Sequence, residues 1–195
     1  RFGNNNKYAF FPSGGVSWSV SEEDFMSDVN FINMLRLRAS YGFTGNSEIG
    51  SYSSLATISS GTNLIGGALR STSRITRLAN PDLQWEKSSQ LNLGFNLRAF
   101  NNVVSIEADY YYKLTTNLLL DRPVPSTSGF TSITDNIGSV SNRGIDLLIS
   151  TTNIESEKFS WNTSLSLNYN KNKVEALGEN DEDIFPGPNW VGGSQ

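Results

Sequence analysis

Glu107 and Asp109 stand two residues apart, so in an extended strand their carboxylates point to the same face. Two carboxylates on one face can act as the acid and the base of a hydrolytic reaction. The alternative is a polar lining, or an ion pair with a cation on a neighbouring strand such as Arg98 or Lys113. We favour the lining and predict that the chain is not an enzyme.

Arginines supply candidate binding chemistry in two places. Arg36 and Arg38 also share one strand face, where they can hold an acidic protein segment or a substrate carboxylate, or only set the electrostatics of that face. A Ser-, Gly- and Thr-rich stretch, 45–82, is either a contact loop for substrate or partner or a mobile surface loop, and the residues leave this open. Its candidate contact residues are Tyr52, Asn63, Arg70, Arg74 and Arg77.

An acidic run near the end of the chain offers oxygen ligands. It contains Glu179, Asp181, Glu182 and Asp183, and carboxylates of this kind bind Ca²⁺. The run lacks the glycine and the distal glutamate of an EF-hand loop. We therefore favour a solvated outer loop and keep Asp181 and Asp183 as candidate calcium ligands. No other cofactor is expected.

Composition excludes several classes of function. The 195 residues include no cysteine and no histidine, which removes disulfide scaffolds, thiolate metal sites and the commonest general base. The net charge of −4 argues against a nucleic-acid partner. No run of 18 apolar residues is present, and neither a phosphate-binding glycine loop nor a nucleophile elbow appears.

The elements that position these residues are predicted to be β-strands, because apolar and polar residues alternate with period two. In 159–170, for example, Phe159, Trp161, Leu165, Leu167 and Tyr169 alternate with serines and asparagines. Six strands are predicted, near 7–20, 34–44, 83–99, 103–120, 143–153 and 159–174. On their polar faces lie Arg36, Arg38, Arg98, Glu107 and Asp109.

The strands and their connections favour an antiparallel transmembrane β-barrel wall over a soluble β-sandwich. Several strands reach the 9–11 residues that a bilayer requires, and short turns alternate with long connections at about 45–82 and 121–142. Two aromatic girdles are predicted: Trp18, Phe100, Phe159 and Trp161 at the end with short turns, and Tyr8, Phe10, Tyr41, Phe43, Trp85, Tyr112 and Tyr169 at the other. The five polar-face residues named above then face the lumen. Six strands cannot close a barrel, so the rest of the wall must come from elsewhere.

Specific motifs add a resemblance to a known family. Arg1-Phe2-Gly3 with Tyr8-Ala9-Phe10-Phe11-Pro12-Ser13, followed by Asn80-Pro81-Asp82-Leu83-Gln84-Trp85-Glu86, resembles the SusC/RagA-type TonB-dependent transporters. Further matching segments follow in family order: Asp109-Tyr110-Tyr111-Tyr112-Lys113, Asn136-Ile137-Gly138-Ser139-Val140 and Asn142-Arg143-Gly144. The resemblance covers nearly the whole chain.

The resemblance implies that residues 1–195 are a C-terminal piece of a 22-stranded barrel domain in the outer membrane of Bacteroidetes. Such proteins import glycans or peptides, pair with a SusD-like lipoprotein lid and are driven by TonB. The plug domain and the segment that contacts TonB are expected outside these residues. The alternative is a structural or adhesive outer-membrane barrel whose outer loops bind surfaces or partners.

Overall fold

The computed structural model describes residues 2–3 and 6–177, and these residues form ten β-strands. The strands are β1 (Ser13–Ser19), β2 (Ile32–Asn46), β3 (Thr57–Ile65), β4 (Ala68–Arg77), β5 (Glu86–Ala99), β6 (Val104–Thr116), β7 (Leu119–Pro123), β8 (Ser132–Asn136), β9 (Ser139–Glu155) and β10 (Ser160–Ala176). The only helical pieces among these residues are three 3₁₀ turns at Val20–Glu22, Asp24–Met26 and Ser126–Ser128. None of the described helical segments is long or apolar enough to cross a membrane.

The six predicted strands form one antiparallel sheet in the order β1-β2-β5-β6-β9-β10. Each strand therefore pairs with its neighbours along the chain, apart from two inserted hairpins. The prediction of an antiparallel barrel-type sheet is confirmed, but several boundaries differ. β1 begins at Ser13 instead of residue 7, and β6 ends at Thr116 instead of residue 120.

The register of the sheet keeps the polar and apolar residues on separate faces. One row of paired residues runs Trp18, Leu37, Phe95, Ala108, Leu147 and Leu167, and the row beside it runs Ser17, Arg38, Gly94, Asp109, Asp146 and Asn168. Because neighbouring residues along a strand point to opposite sides, the first row belongs to the apolar face and the second to the polar face.

The sheet has no hydrophobic core of its own. Among the described residues, only five hydrophobic side chains are buried, namely Phe2, Val20, Leu83, Ala99 and Ile137. Apolar side chains in the middle of the strands stay open, and Leu165 and Leu167 are 50% and 53% exposed. No second sheet stacks on either face within residues 2–3 and 6–177, so these residues do not form a β-sandwich.

Two hairpins occupy stretches that the sequence analysis assigns to loops. β3 and β4 pair with each other within 45–82. β7 and β8 also pair with each other, and β7 begins just before the predicted loop 121–142. A two-residue turn joins β3 to β4, with Gly66 at φ 60° and Gly67 at φ 77°. Positive φ at both central residues is what a type I′ hairpin turn requires, and Gly-Gly supplies it without steric strain.

Both ends of the sheet carry aromatic residues. Trp18, Phe100, Phe159 and Trp161 lie at the end with short turns, as predicted, and all four are about half exposed or more. Trp85 lies directly before β5, at the opposite end, and its ring has two aromatic partners. Its ring stacks on Phe2 at 5.0 Å and meets Phe11 edge-on at 5.8 Å, because the chain folds back before β5.

Candidate functional site

The polar face of the six-stranded sheet carries an ion pair that crosses an intervening strand. Nη2 of Arg38 on β2 donates to Oδ1 of Asp109 on β6 at 3.0 Å, passing over Gly94 of β5. A Cβ atom on Gly94 would lie 2.6 Å from that carboxylate oxygen and 2.8 Å from the guanidinium nitrogen. Gly94 therefore provides the gap through which the pair meets.

A second side chain crosses a glycine in the same way. Tyr111 of β6 lies over Gly144 of β9, and its hydroxyl accepts a hydrogen bond from Nδ2 of Asn170 on β10 at 2.5 Å. A glycine in a strand such as Gly144 allows a bulge or a close contact with a neighbouring part of the protein. In the structure it admits the phenol ring, and the β6–β9 register runs through it without a shift.

The predicted polar-face residues share one face, and the ion pair among them joins Asp109 to Arg38. Arg36 and Glu107 lie in one row with Asn96 between them, and Arg98 lies opposite Ser105. Asp109 pairs with Arg38 rather than with Arg98 or Lys113, because Gly94 opens the path across β5. Glu107 forms no ion pair with another described residue.

Around the ion pair the polar face is a lattice of amides, hydroxyls and carboxylates. Asp146 stands directly opposite Asp109 on β9 and accepts a hydrogen bond from the amide of Asn168. Asn172 donates to Asn142 at 2.7 Å, and Asn92 donates to Ser40 at 3.2 Å. One carboxylate of the Glu107 and Asp109 couple is thus held by Arg38.

The β3–β4 hairpin brings three of the predicted contact residues to one face. Asn63 stands opposite Arg70, and Arg74 lies two pairs further along the same face, beyond Thr72. The other face carries four exposed apolar side chains: Ile58, Leu64, Leu69 and Ile75 are 54–75% exposed. The hairpin is thus basic on one side and apolar at both ends of the other.

The remaining two contact candidates form the base of this hairpin. Nη2 of Arg77 donates to the backbone carbonyl of Tyr52 at 2.5 Å, and Tyr52 has a φ of 62°. Arg77 also donates to the carbonyl of Leu55. The guanidinium group of Arg77 is therefore engaged in holding the turn, while the ring of Tyr52 stays 69% exposed.

Two asparagines that the sequence analysis names only within motifs tie the long connections together. Nδ2 of Asn80 donates to the carbonyl of Thr134, and the backbone nitrogen of Asn80 donates to the carbonyl of Ser54. Asn136 exchanges two hydrogen bonds with the backbone of Gln84 and donates to the carbonyl of Asn117. In the sequence, Asn80 precedes a proline and Asn136 precedes Ile137-Gly138. Asparagines in such positions often hydrogen-bond the backbone of a turn, and this is the signal that could have identified both.

The candidate calcium ligands Asp181 and Asp183 lie outside the described residues, so calcium binding there stays a prediction. Within the described ranges, no group of three or more carboxylates is close enough to hold a metal ion. The polar face of the sheet and the two faces of the β3–β4 hairpin are candidate surfaces for contact with a solute or a partner.

Comparison with known proteins finds extensive similarity. Residues 1–194 match the family described as "TonB dependent receptor-like, beta-barrel". A TonB-dependent receptor of Formosa agariphila is 41% identical over 184 residues, which are 94% of this chain and 18% of that protein. The TonB-dependent receptor SusC of Bacteroides thetaiotaomicron is 32% identical over 95% of this chain and 19% of its own length.

Solved structures agree with the sequence relatives. The RagAB peptide importer in its open-open state superimposes with a TM-score of 0.81 at 38% identity, covering 92% of this chain and 19% of the matched chain. Its closed-closed state gives a TM-score of 0.77 at 39% identity over 89% of this chain. The 195 residues thus span about a fifth of the length of the proteins that they match.

Proposed function

Because the chain belongs to the TonB-dependent receptor-like β-barrel family and forms part of an outer-membrane barrel wall, we propose that the whole protein imports a nutrient across the outer membrane. The observation that carries the proposal is the similarity to the RagAB peptide importer, at 38% identity over 92% of the chain. Energy would come from TonB through segments outside these residues.

The polar face of the sheet is proposed to line the lumen, and the apolar face to contact lipid. Outer-membrane barrels alternate apolar residues outward with polar residues inward. The Arg38–Asp109 pair and the amides of Asn92 and Asn168 would then stand along the passage or against a plug. Arg36, Arg98 and Glu107 share that face and add charge to the lining.

The two faces of the β3–β4 hairpin support two different contacts, one with a partner protein on the apolar face and one with the substrate on the basic face. Exposed apolar side chains on an outer hairpin mark a protein contact, and Leu64 and Leu69 are 70% and 75% exposed. A SusD-like lipoprotein is the proposed partner on this face. Arg70 and Arg74 on the opposite face can bind carboxylates, which favours a peptide over a neutral glycan as the substrate.

The hairpin can be tested in the full-length protein by replacing residues 58–76 with a two-glycine link, so that Thr57 and Arg77 still close its base. We expect uptake of a labelled oligopeptide to fall at least severalfold, while heat-modifiable barrel mobility on gels shows normal insertion. Unchanged uptake would remove the hairpin from the import mechanism. Unchanged uptake with loss of surface adhesion would support the adhesive alternative.

Paired substitutions separate the two faces of the hairpin. Leu64→Ser with Leu69→Ser is expected to reduce co-purification of the lipoprotein, because apolar contact area is lost. Arg70→Gln with Arg74→Gln is expected to reduce peptide uptake with the lipoprotein retained. The matched control is Thr62→Ala with Ser71→Ala, on the same face as the leucines and paired with each other. Equal uptake of peptide and glycan in all variants would contradict the assignment of the substrate.

A further inference from the structure

The apolar face of the sheet carries a group of three neighbouring basic side chains at one end of β9 and β10. Arg143 of β9 pairs in register with Tyr112 of β6 and with Lys171 of β10, and Lys173 follows two residues after Lys171. All three belong to the face that also carries Ile145 and Leu167, and all three are exposed. We call Arg143, Lys171 and Lys173 the basic cluster.

The position of the basic cluster along β10 matches the edge of a bilayer. Moving along the apolar face, the side chains run Trp161, Leu165, Leu167, Tyr169 and then Lys171. At about 3.4 Å per residue and a strand tilt of about 40°, Trp161 and Lys171 are roughly 26 Å apart along the barrel axis. The apolar band of such barrels is about 25 Å tall, with aromatic girdles at its edges. Lys171 therefore lies just beyond the hydrocarbon, at the level of the lipid head groups.

The basic cluster is on the outer side of the membrane. The chain from β9 to β10 turns within four residues at the opposite end, between Glu155 and Ser160, whereas Arg143 and Lys171 lie near the long connections. Short turns are periplasmic and long connections are extracellular in outer-membrane barrels. The head groups at this level belong to the outer leaflet.

The charges of the cluster are incompletely balanced within the described part of the chain. Lys173 pairs with Glu175 at 2.5 Å, and Glu175 also attracts Arg143, but neither Arg143 nor Lys171 lies within ion-pair distance of a described carboxylate. Like charges directly opposite each other on antiparallel strands repel and destabilise the pairing. Arg143 and Lys171 stand in register and face lipid at the depth of the head groups. An anion from the membrane would therefore relieve the repulsion between them.

We propose that the basic cluster binds the phosphate of an anionic outer-leaflet lipid. The acyl chains would lie along Leu165, Leu167 and Ile145, and the phosphate would be held between Arg143 and Lys171, with Lys173 at its side. Basic side chains at a membrane surface bind anionic head groups in this way, with their aliphatic stems along the apolar surface. This role is separate from import, because the cluster is on the opposite face from the Arg38–Asp109 pair.

The test uses the purified full-length transporter in a neutral detergent, with thermal unfolding measured against added lipid A, dephosphorylated lipid A or inorganic phosphate. Lipid A should raise the unfolding temperature of the natural protein. In the variant Arg143→Gln, Lys171→Gln, Lys173→Gln, the apparent affinity should fall by roughly tenfold or more. The matched control is Lys113→Gln, whose side chain lies on the polar face opposite Asn142.

Each outcome decides the proposal. A response that needs the lipid phosphate and the basic cluster, and that survives Lys113→Gln, supports it. An equal response to dephosphorylated lipid A or to inorganic phosphate overturns it. An equal response in the triple variant also overturns it. If the triple variant unfolds at a lower temperature but keeps the full response to lipid A, the cluster balances charge within the protein and binds no lipid.

Discussion

Two glycines on the polar face act as crossing points for longer side chains. Gly94 lets Arg38 reach Asp109 across β5, and Gly144 lets Tyr111 reach Asn170 across β9. Each contact joins strands that are not hydrogen-bonded to each other. In a single-layer sheet these side-chain contacts connect strands that the backbone hydrogen bonds leave unconnected. They require a glycine on the intervening strand, because a Cβ atom there would block the contact.

Gly144→Ala should destabilise the full-length barrel, because the new Cβ would lie 2.4 Å from the carbonyl oxygen of Tyr169 and 2.5 Å from the hydroxyl of Tyr111. We expect a loss of about 1–3 kcal/mol in the free energy of unfolding, measured by urea titration of the refolded protein. Gly14→Ala is the control, since nothing lies within 4 Å of its added Cβ. Equal stability of the two variants would show that the crossing at Gly144 relaxes without cost.

At the scale of elements, asparagine side chains fix the long connections to one another. Asn136 at the end of β8 holds the backbone of Gln84 before β5 and of Asn117 after β6. Asn80 links the same region to Ser54 and to β8. Hydrogen bonds therefore hold the segments that connect the hairpins to the six-stranded sheet.

Asn136→Ala should loosen the β7–β8 hairpin, because Gln84 and Asn117 lose their partners. An unmade hydrogen bond of a part-buried group costs about 1–3 kcal/mol, so local opening should increase about tenfold or more. Chymotrypsin cleavage after Phe130, in the connection between β7 and β8, measures this opening in the full-length protein. Asn162→Ala, near the short turn between β9 and β10, should leave the cleavage rate unchanged. Equal rates in both variants would assign the order of the hairpin to other contacts.

At the scale of the whole molecule, both faces of the sheet need material that these residues do not supply. The described part of the chain buries little apolar area, and β1 and β10 are open edges of the sheet. On the proposed assignment a bilayer covers the apolar face and a lumen the polar face, and unpaired backbone groups at the two edges cannot remain in lipid. The remaining strands of the barrel would pair with the two edges.

Leu167→Arg and Ser166→Arg test the assignment of the faces, because these neighbours stand near the middle of β10 and point in opposite directions. An arginine on the lipid face near the midplane costs about 2–4 kcal/mol in barrel stability, whereas one on the lumen face costs little. We expect Leu167→Arg to reduce the free energy of unfolding of the barrel in lipid vesicles by that amount. The reverse order of the two variants would invert the assigned faces.

The sequence by itself determined the strands and their faces, because period-two alternation is a local pattern. The contrast between Leu165, Leu167 and Tyr169 and the serines and asparagines between them indicated a sheet with one apolar and one polar side. It also placed Arg36, Arg38, Arg98, Glu107 and Asp109 on one face. The β3–β4 hairpin could also have been predicted, because Gly66-Gly67 separates two short potential strands in the manner of a two-residue turn.

Only the tertiary structure decided which of those residues meet. Arg38 finds Asp109, Tyr111 finds Asn170, and Trp85 turns to Phe2 and Phe11, all across distances that local patterns do not encode. The register of six strands fixes these partners, and register depends on the sum of all backbone pairings and on where a glycine leaves space. The alternation of residues sets the direction of each side chain, whereas its neighbour is set by the whole sheet.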